Sequence, residues 1–240
     1  MRHSEATLAG SEKEKVRLMF DRIAERYDFL NHFLSLGTDR KWRKNVISIL
    51  EKVKPKQILD VATGTADLAL AALKLSPEKI TGIDISEKMI LIGNEKIRNQ
   101  GAESFIQLET GDAENLRFEK NSFDAVTVAF GVRNFENTMK GLSEMLRVLK
   151  PGGTIVILEF SVPQNFPVKQ LFGFYFHRIL PFFGKIISKD KFAYRYLPDS
   201  VKDFPCGNDF LKRMAEAGFT QNNFKELSFG IASIYTGKKP

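Results

Sequence analysis

The strongest constraint on the fold is the alternation of strand-like and helix-like segments through the middle of the chain. Apolar stretches that are typical of strands occupy residues 57–63, 79–86, 104–112, 122–130 and 154–160. Helical patterns separate most of these strands, at residues 66–75, 87–99 and 137–149. Strands that alternate with helices form right-handed βαβ units. We therefore predict an α/β fold built on a mostly parallel sheet.

Helical and hairpin patterns flank this core. Apolar residues at 3–4 residue spacing predict two N-terminal helices, with Gly37 ending the first and Thr38 or Asp39 capping the second. We also predict a turn at residues 151–153, immediately before the fifth strand. Near the C-terminus the sequence predicts a helix over residues 209–218, then strands over 224–229 and 231–237, joined tightly at Gly230 in an antiparallel hairpin.

The organisation predicted for the chain is a single domain in four parts. Its 240 residues suit one domain with an elaboration. The parts are a helical N-terminal cap (residues 1–55), a ligand-binding α/β core (56–160), an aromatic insertion after strand five (161–208), and a last helix with its hairpin (209–240).

The net charge of +7 is unevenly distributed. Residues 1–56 hold 13 Lys+Arg against 8 Asp+Glu, and residues 57–160 hold 11 against 15. Basic surfaces bind nucleic acid, anionic lipid or anionic ligands. The single cysteine, Cys206, excludes an intramolecular disulfide framework and a cysteine-cluster metal site. Residues 1–10 lack the apolar stretch of a secretory signal, so we expect a cytoplasmic protein.

The segment after the first strand predicts a site for a cationic ligand. In an open α/β sheet the ligand lies beyond the carboxyl ends of the strands. Gly64 lets the backbone approach a ligand closely, and Asp60 and Thr65 supply polar groups there. The segment lacks the G-x-G-x-x-G pattern of dinucleotide binding, and Asp60 would repel a pyrophosphate. S-adenosylmethionine, with its ammonium and sulfonium, meets this description.

Polar residues after the next two strands agree with that ligand. Asp84 ends the second strand, where a carboxylate suits both hydroxyls of a ribose. Asp112 and Ala113 follow the third strand and suit the border of an adenine ring. The alternative is that Asp60 and Asp84 only cap helices, as carboxylates often do in βα loops.

Three segments resemble a known family of enzymes. Residues 27–42 (YDFLNHFLSLGTDRKW) and 147–161 (RVLKPGGTIVILEFS) resemble the two signatures of the ubiquinone/menaquinone biosynthesis C-methyltransferase family. Residues 130–137 (FGVRNFEN) resemble its segment after strand four, and the likeness covers about residues 12–237. The resemblance implies a Rossmann-like class I methyltransferase with a seven-stranded sheet, S-adenosylmethionine as methyl donor and no metal.

The resemblance also implies which residues bind the methyl donor. Thr65, Asp84 and the pair Asp112 and Ala113 match binding positions of the family. Many members have a serine after strand four, where this chain has Ala129, so a backbone group would have to replace that contact. In the first signature the chain also has Leu30 for a methionine and Asp39 for a histidine. We therefore assign no catalytic role to position 39.

The implied reaction is methylation of a ring carbon of a prenylated hydroquinone. We expect demethylmenaquinol as the acceptor, with a 2-polyprenyl-6-methoxy-benzoquinol as the alternative. Loss of a phenolic proton makes the ring carbon nucleophilic, so the site must align the reactants and accept a proton.

Five residues are candidates for the chemistry. Arg133 and Asn134 follow strand four on the ligand side, and Arg133 would stabilise the phenolate or order a water that takes its proton. Tyr27 and Asp28 would close over the site. His177 is the one histidine of the insertion and has a suitable pKa. The alternatives are an ordinary ion pair for Arg133, a helix cap and core aromatic for the N-terminal pair, and packing for His177.

The aromatic insertion predicts contact with a lipid. Eight of the 21 phenylalanines lie between Phe160 and Phe192, yet charges interrupt residues 166–187 too often for a membrane-spanning helix. We expect an apolar lining for a polyprenyl tail, formed by Phe172, Phe174, Phe176, Ile179, Phe182 and Phe183. Basic neighbours would contact an anionic membrane surface at the inner face of the cell membrane, namely Lys169, Arg178, Lys185, Lys189 and Lys191. The alternative is a core lobe or the face of a homodimer.

Other functions remain open from the residues alone. The acceptor of a methyltransferase with this pattern could be a sterol, a tocopherol precursor or RNA. The basic residues form no compact patch interleaved with aromatics, so we expect no nucleic-acid partner. A nicotinamide oxidoreductase and an inert lipid-binding module are the candidates from other classes.

Overall fold

The computed structural model describes residues 11–35, 37–175, 178 and 191–240. The described helices are α1 (Glu12–Leu34), α2 (Thr38–Glu51), α3 (Asp67–Ala72), α4 (Glu87–Asn99), α5 (Thr138–Val148), α6 (Val168–Phe174), α7 (Lys191–Asp203) and α8 (Asn208–Glu216). The strands are β1 (Gln57–Val61), β2 (Lys79–Asp84), β3 (Ile106–Thr110), β4 (Phe123–Ala129), β5 (Leu149–Phe160), β6 (Thr220–Leu227) and β7 (Ala232–Lys238).

The strands form one seven-stranded sheet in the order β3-β2-β1-β4-β5-β7-β6. Strands β1 to β5 pair in parallel, and β7 lies antiparallel to both β5 and β6. This confirms the predicted mostly parallel sheet with a C-terminal hairpin. The chain moves outward from β1 to β3 and then returns to place β4 beside β1. The switch point between β1 and β4 is where such sheets bind ligands.

Both faces of the sheet are buried, which is why its central strands are apolar at nearly every position. Along β1, Ile58 packs with α2 and α3 on one face, whereas Leu59 and Val61 pack with α5 and α8 on the other. Buried side chains of the helices complete the two layers, namely Val46, Leu50 and Ala69 on the first face and Leu142, Met145, Phe210 and Met214 on the second.

The predicted turn at residues 151–153 is wrong as a strand boundary, because β5 runs through it. Gly152 has a left-handed backbone, with φ +76°, and its N–H donates to the carbonyl of Lys239 over 2.9 Å. The register with β4 shifts at this point, between Phe123 and Ala125. The bend is therefore a bulge inside a strand, held by a segment far away in the chain.

Two other local predictions also require correction. Gly37, with φ +72°, precedes the first turn of α2, and Thr38 and Asp39 lie inside the helix rather than capping it. Asp39 is buried and bonded to Arg43, His32 and Ser35. At the C-terminal hairpin, a 3₁₀ turn over Ser228–Gly230 joins β6 to β7, so the connection is longer than a tight turn at Gly230.

The insertion contributes α6, α7 and a small apolar cluster against the end of β5. Val201 is buried there, with Phe160, Phe172 and Leu197 packed around it. The predicted lining residues Phe176, Ile179, Phe182 and Phe183, the basic residues Lys185 and Lys189, and His177 all lie outside the described residues. Within the described part of the chain, no helix is both long and apolar enough to cross a membrane.

Candidate active site

A cleft lies at the carboxyl ends of β1, β2 and β4, beneath helix α1. It contains about 650 Å³ of empty space, part of which is open solvent. Helix α1 contributes an apolar roof, and the loops after the strands contribute the floor. The lining includes Val16, Phe20 and Tyr27 from α1, with Ala62, Gly64, Asp84, Ile85, Asp112, Ala113, Ala129, Phe130, Gly131 and Asn134 from the sheet edge.

Asp84 places a nearly buried carboxylate at the end of β2. Its Oδ2 accepts the backbone N–H of Gly64 and its Oδ1 accepts that of Ser86, each over 2.9 Å. Burial raises the pKa of Asp84 to about 6, and the two backbone donors offset part of that rise. A carboxylate oxygen has more than one acceptor site, so both oxygens can still accept hydroxyl groups from a ligand.

Asp60 lies deeper, at the switch point, and is 1% exposed. Its oxygens accept hydroxyls from Thr127 over 2.7 Å and Thr63 over 2.6 Å. Burial raises the pKa of Asp60 to about 6, and the nearby charge of Asp84 adds to the rise. Asp60 also lines a smaller extension of the cleft, together with Gly64, Thr65 and Tyr27.

The loop after β3 meets the start of α1 through charges. Asp112 accepts the backbone N–H of Glu114 with one oxygen and the ammonium of Lys13 with the other, over 2.9 Å. Lys13 also forms an ion pair with Glu114 at 3.1 Å. Asp112 and Ala113 thus line the cleft together with Lys13.

Polar contacts also fasten the middle of α1 over the cleft. The hydroxyl of Thr65 donates to Asp28, whose other oxygen accepts the ammonium of Lys96 over 2.8 Å. Asp21 accepts the hydroxyl of Ser86 over 2.6 Å. Asp28 and Thr65, predicted for different roles, therefore form one contact between the roof and the first ligand loop.

Arg133 and Asn134 occupy a 3₁₀ turn directly after β4. Arg133 is largely buried, with an ion pair of 2.8 Å between its Nη1 and Oε1 of Glu159 on β5. The amide of Asn134 donates to the carbonyl of Phe130 over 3.3 Å, and its oxygen accepts the hydroxyl of Tyr196 over 3.0 Å. Asn134 lines the cleft, so the turn links its wall to helix α7.

Tyr27 and Ala129 both line the cleft. Burial raises the pKa of Tyr27, while a hydrogen bond with Asn31 and the charge of Arg133 act in the opposite direction. Gly64, with φ +56°, lies so close that a Cβ there would be 3.6 Å from the ring of Tyr27. Of the predicted catalytic residues, Tyr27 and Asn134 line the cleft, whereas the guanidinium of Arg133 is buried against Glu159 and the carbonyl of Phe130.

Several residues of the site were not predicted from the sequence. Glu159 carried a signal, because it is a lone acid in an otherwise apolar strand. Lys13, Lys96 and Tyr196 carried none, since each meets its partners across a distance in sequence of 29 residues or more. Among the described residues, no group of three or more His, Cys, Asp or Glu side chains could hold a metal ion.

The strand order, the antiparallel seventh strand and the acidic loops after β1, β2 and β3 define a class I, S-adenosylmethionine-dependent methyltransferase fold. Two solved structures share this fold. The [4+2]-cyclase SpnF aligns with a TM-score of 0.69 at 17% identity, over 97% of this chain and 98% of its own. A possible histamine N-methyltransferase from Thermotoga maritima aligns with a TM-score of 0.64 at 19% identity, over 93% and 99%.

The chain belongs to the ubiE/COQ5 methyltransferase family, whose model matches residues 8–239. A demethylmenaquinone methyltransferase from Bacteroides fragilis is 50% identical over 96% of this chain and 94% of its own length. A ubiquinone/menaquinone biosynthesis C-methyltransferase from Geobacter sulfurreducens is 46% identical over 94% and 89%. The family predicted from the two signatures is thus confirmed, and the chain is a methyltransferase that depends on S-adenosylmethionine.

Proposed function

We propose that this enzyme methylates a ring carbon of demethylmenaquinol to give menaquinol. The observation that carries the proposal is the 50% identity, over 96% of the chain, to a demethylmenaquinone methyltransferase. The Geobacter relative is named for both ubiquinone and menaquinone biosynthesis. A 2-polyprenyl-6-methoxy-benzoquinol is therefore the second candidate acceptor.

The charges of the cleft fit S-adenosylmethionine. Asp60 and Asp84 are buried carboxylates, and no lysine or arginine in the described part of the chain forms an ion pair with either. Buried charges are normally paired, so a cationic ligand would complete the site. Asp84 would hold the ribose, Asp112 and Ala113 the adenine, and Asp60, Gly64 and Thr65 the methionine end.

S-adenosylmethionine, when bound, supplies a methyl group on a cationic sulfur, which departs as a neutral thioether. We propose that no metal takes part, since such a leaving group needs no Lewis acid. The enzyme must hold the acceptor carbon in line with the methyl group and exclude water. Tyr27, Phe130 and the small Ala129 provide an apolar wall for the ring at that point.

We assign the handling of negative charge on the acceptor to Arg133. Its guanidinium is buried next to Phe130 and Asn134, which line the cleft, and a fixed positive charge away from water stabilises a phenolate more strongly than in water. Asn134 supports the turn that carries it. Asp28 acts indirectly, because it holds Thr65 and the roof helix in place. His177 stays a candidate for taking the proton.

The route of the lipid acceptor is proposed to begin at the membrane surface. Four large apolar side chains are exposed on and around α6 and the β6–β7 turn, namely Phe166, Leu171, Phe174 and Phe229. A Cβ on Gly230 would lie 3.4 Å from Pro163, so the turn sits against the segment that leads to α6. Exposed apolar patches of this kind mark membrane or protein contacts.

We propose that this patch touches the anionic inner face of the cell membrane while the enzyme remains in the cytoplasm. Lys169 lies within the same segment and suits lipid phosphates. A homodimer that buries the same patch is the competing arrangement. Flotation with anionic vesicles separates the two, because the dimer would not bind lipid at low salt.

The decisive experiment supplies the purified enzyme with labelled S-adenosylmethionine and, in separate reactions, each of the two reduced quinols. We expect label in menaquinol, with a higher kcat/KM for the naphthoquinol than for the benzoquinol. A higher kcat/KM for the benzoquinol than for the naphthoquinol would instead assign the enzyme to ubiquinone biosynthesis. Tight S-adenosylmethionine binding without methylation of either quinol would disprove the proposed acceptor class.

A further inference from the structure

Glu159 is a fully buried carboxylate at the ligand end of β5. Three donors converge on its two oxygens. Oε1 accepts Nη1 of Arg133 and the backbone N–H of Phe160, each over 2.8 Å. Oε2 accepts the backbone N–H of Arg133 over 3.3 Å. Both oxygens of Glu159 accept hydrogen bonds from N–H groups, so the position requires a carboxylate. A glutamine there would turn its own NH₂ group toward one of these N–H donors.

The guanidinium that Glu159 holds is restrained from several directions. Nη1 of Arg133 also donates to the carbonyl of Phe130, and the ring of Phe160 lies 5.4 Å from the guanidinium carbon. The Nε of Arg133 is nevertheless buried without a hydrogen-bond partner in the described part of the chain. A buried donor without a partner is rare in native structures and calls for an explanation.

The location of the pair argues against a purely structural role. A buried ion pair is seldom more stable than an apolar pair of similar volume. This pair sits where β4 and β5 end, at the sheet edge that binds ligands. Its neighbours Phe130 and Asn134 line the cleft.

We propose that Glu159 is a positioning residue for methyl transfer, which holds the guanidinium of Arg133 next to the cleft wall so that its positive charge acts on an oxygen of the acceptor. The inference rests on the proposed function, since it requires Arg133 to act on the acceptor. Glu159 itself touches no substrate. Its carboxylate aligns the guanidinium and compensates its charge while the site is empty.

The test compares Glu159→Gln with Arg133→Lys and with the double variant, in the methylation assay with the reduced naphthoquinol. We expect Glu159→Gln to lower kcat about 10- to 100-fold, the loss that follows when a residue that orients a metal ligand is replaced in a metalloenzyme. The KM for the quinol and the Kd for S-adenosylmethionine should change less than about twofold, because Glu159 contacts neither. The double variant should be no slower than Arg133→Lys, since one residue acts through the other.

Glu144→Gln is the matched control, because Glu144 also pairs with an arginine, Arg147, away from the cleft. It should leave kcat unchanged. Wild-type kcat in Glu159→Gln, or an additive double variant, would overturn the inference and leave the proposed function intact. Loss of S-adenosylmethionine binding or of cooperative unfolding in Glu159→Gln would also overturn it, by assigning Glu159 to the fold alone. A wild-type enzyme inactive on both quinols would overturn the inference together with the proposed function.

Discussion

Replacing Asp60 by asparagine should stabilise the free enzyme at neutral pH and weaken its hold on S-adenosylmethionine. The carboxylate is buried without a cationic partner in the described part of the chain, and burial raises its pKa to about 6. Asparagine has the same shape and no charge. The hydroxyls of Thr63 and Thr127 can rotate, so one can donate to the amide oxygen and the other accept from the amide nitrogen.

The size of the effect follows from the two pKa values of Asp60. An increase from 3.8 in the unfolded chain to about 6 in the folded one costs about 3 kcal/mol of stability once both forms are ionised. Between these values the folded state binds more protons, so the wild type loses stability as the pH rises. The gain in Asp60→Asn should therefore grow from about 0.5 kcal/mol near pH 4 to about 3 kcal/mol at pH 7.

Urea unfolding of the free enzyme measures this gain. Trp42, the one tryptophan of the chain, is buried and reports unfolding by fluorescence. Asp124→Asn is the control of opposite sign. Burial raises the pKa of Asp124, but Lys150 and the backbone N–H groups of residues 56 and 57 outweigh it and hold the pKa below its usual range. That variant should lose stability at neutral pH and approach the wild type as the pH falls through the acid range.

Two results would refute the reasoning about Asp60. An Asp60→Asn enzyme less stable than wild type at pH 7 would mean that the threonine hydrogen bonds require the charge. A gain that stays constant from about pH 5 to pH 8 would mean that the pKa of Asp60 is not raised. Titration calorimetry of the same samples should show weaker S-adenosylmethionine binding, because the charge that destabilises the free protein attracts the cationic ligand.

Three further predictions concern the ligand, the mechanism and the membrane. Asp84→Asn should weaken S-adenosylmethionine binding about tenfold or more, since hydrogen bonds to charged groups contribute about 1.5–3 kcal/mol; calorimetry of the wild type should show the same weakening as the pH falls below about 6. Arg133→Ala should lower kcat at saturating S-adenosylmethionine by about 100-fold or more, and wild-type turnover would remove Arg133 from the mechanism. Phe229→Ser should reduce flotation with anionic vesicles, whereas Leu91→Ser, at a comparably exposed position on α4, should not; an equal loss in both would contradict the proposed membrane patch.

The sheet was predictable because its signals are local. Buried parallel strands are short apolar runs between helices, and the sequence predicts β1 to β4 to within two residues at each end. The bulge at Gly152 was not predictable, because it depends on a hydrogen bond to Lys239, far along the chain. Pro151 and two glycines there are typical of a turn, and only pairing with β7 identifies the segment as a strand.

Some residues of the site could likewise be predicted from the local sequence, whereas others depend on contacts that are distant in the chain. The position of Asp84 and of the residues after β3 at the cleft could be predicted, because chain order places every parallel strand end at one edge of the sheet. The N-cap prediction at Asp39 failed because the carboxylate instead pairs with Arg43, one turn along the same helix, and with His32 of the preceding helix. The roof contacts of Lys13 and Lys96 join elements that are distant in the chain, and nothing in the local pattern indicates them.

The roof formed by α1 has a consequence for the order in which the protein assembles. On the ribosome α1 emerges before any strand, yet its partners Thr65, Ser86 and Asp112 lie in loops between successive strands and helices. Its apolar face, which includes Val16 and Met19, stays uncovered while about 100 further residues are synthesised. At about 5–20 residues per second, that exposure lasts about 5 to 20 seconds for each newborn chain. During this interval the helix that covers the active site is a segment to which a chaperone could bind.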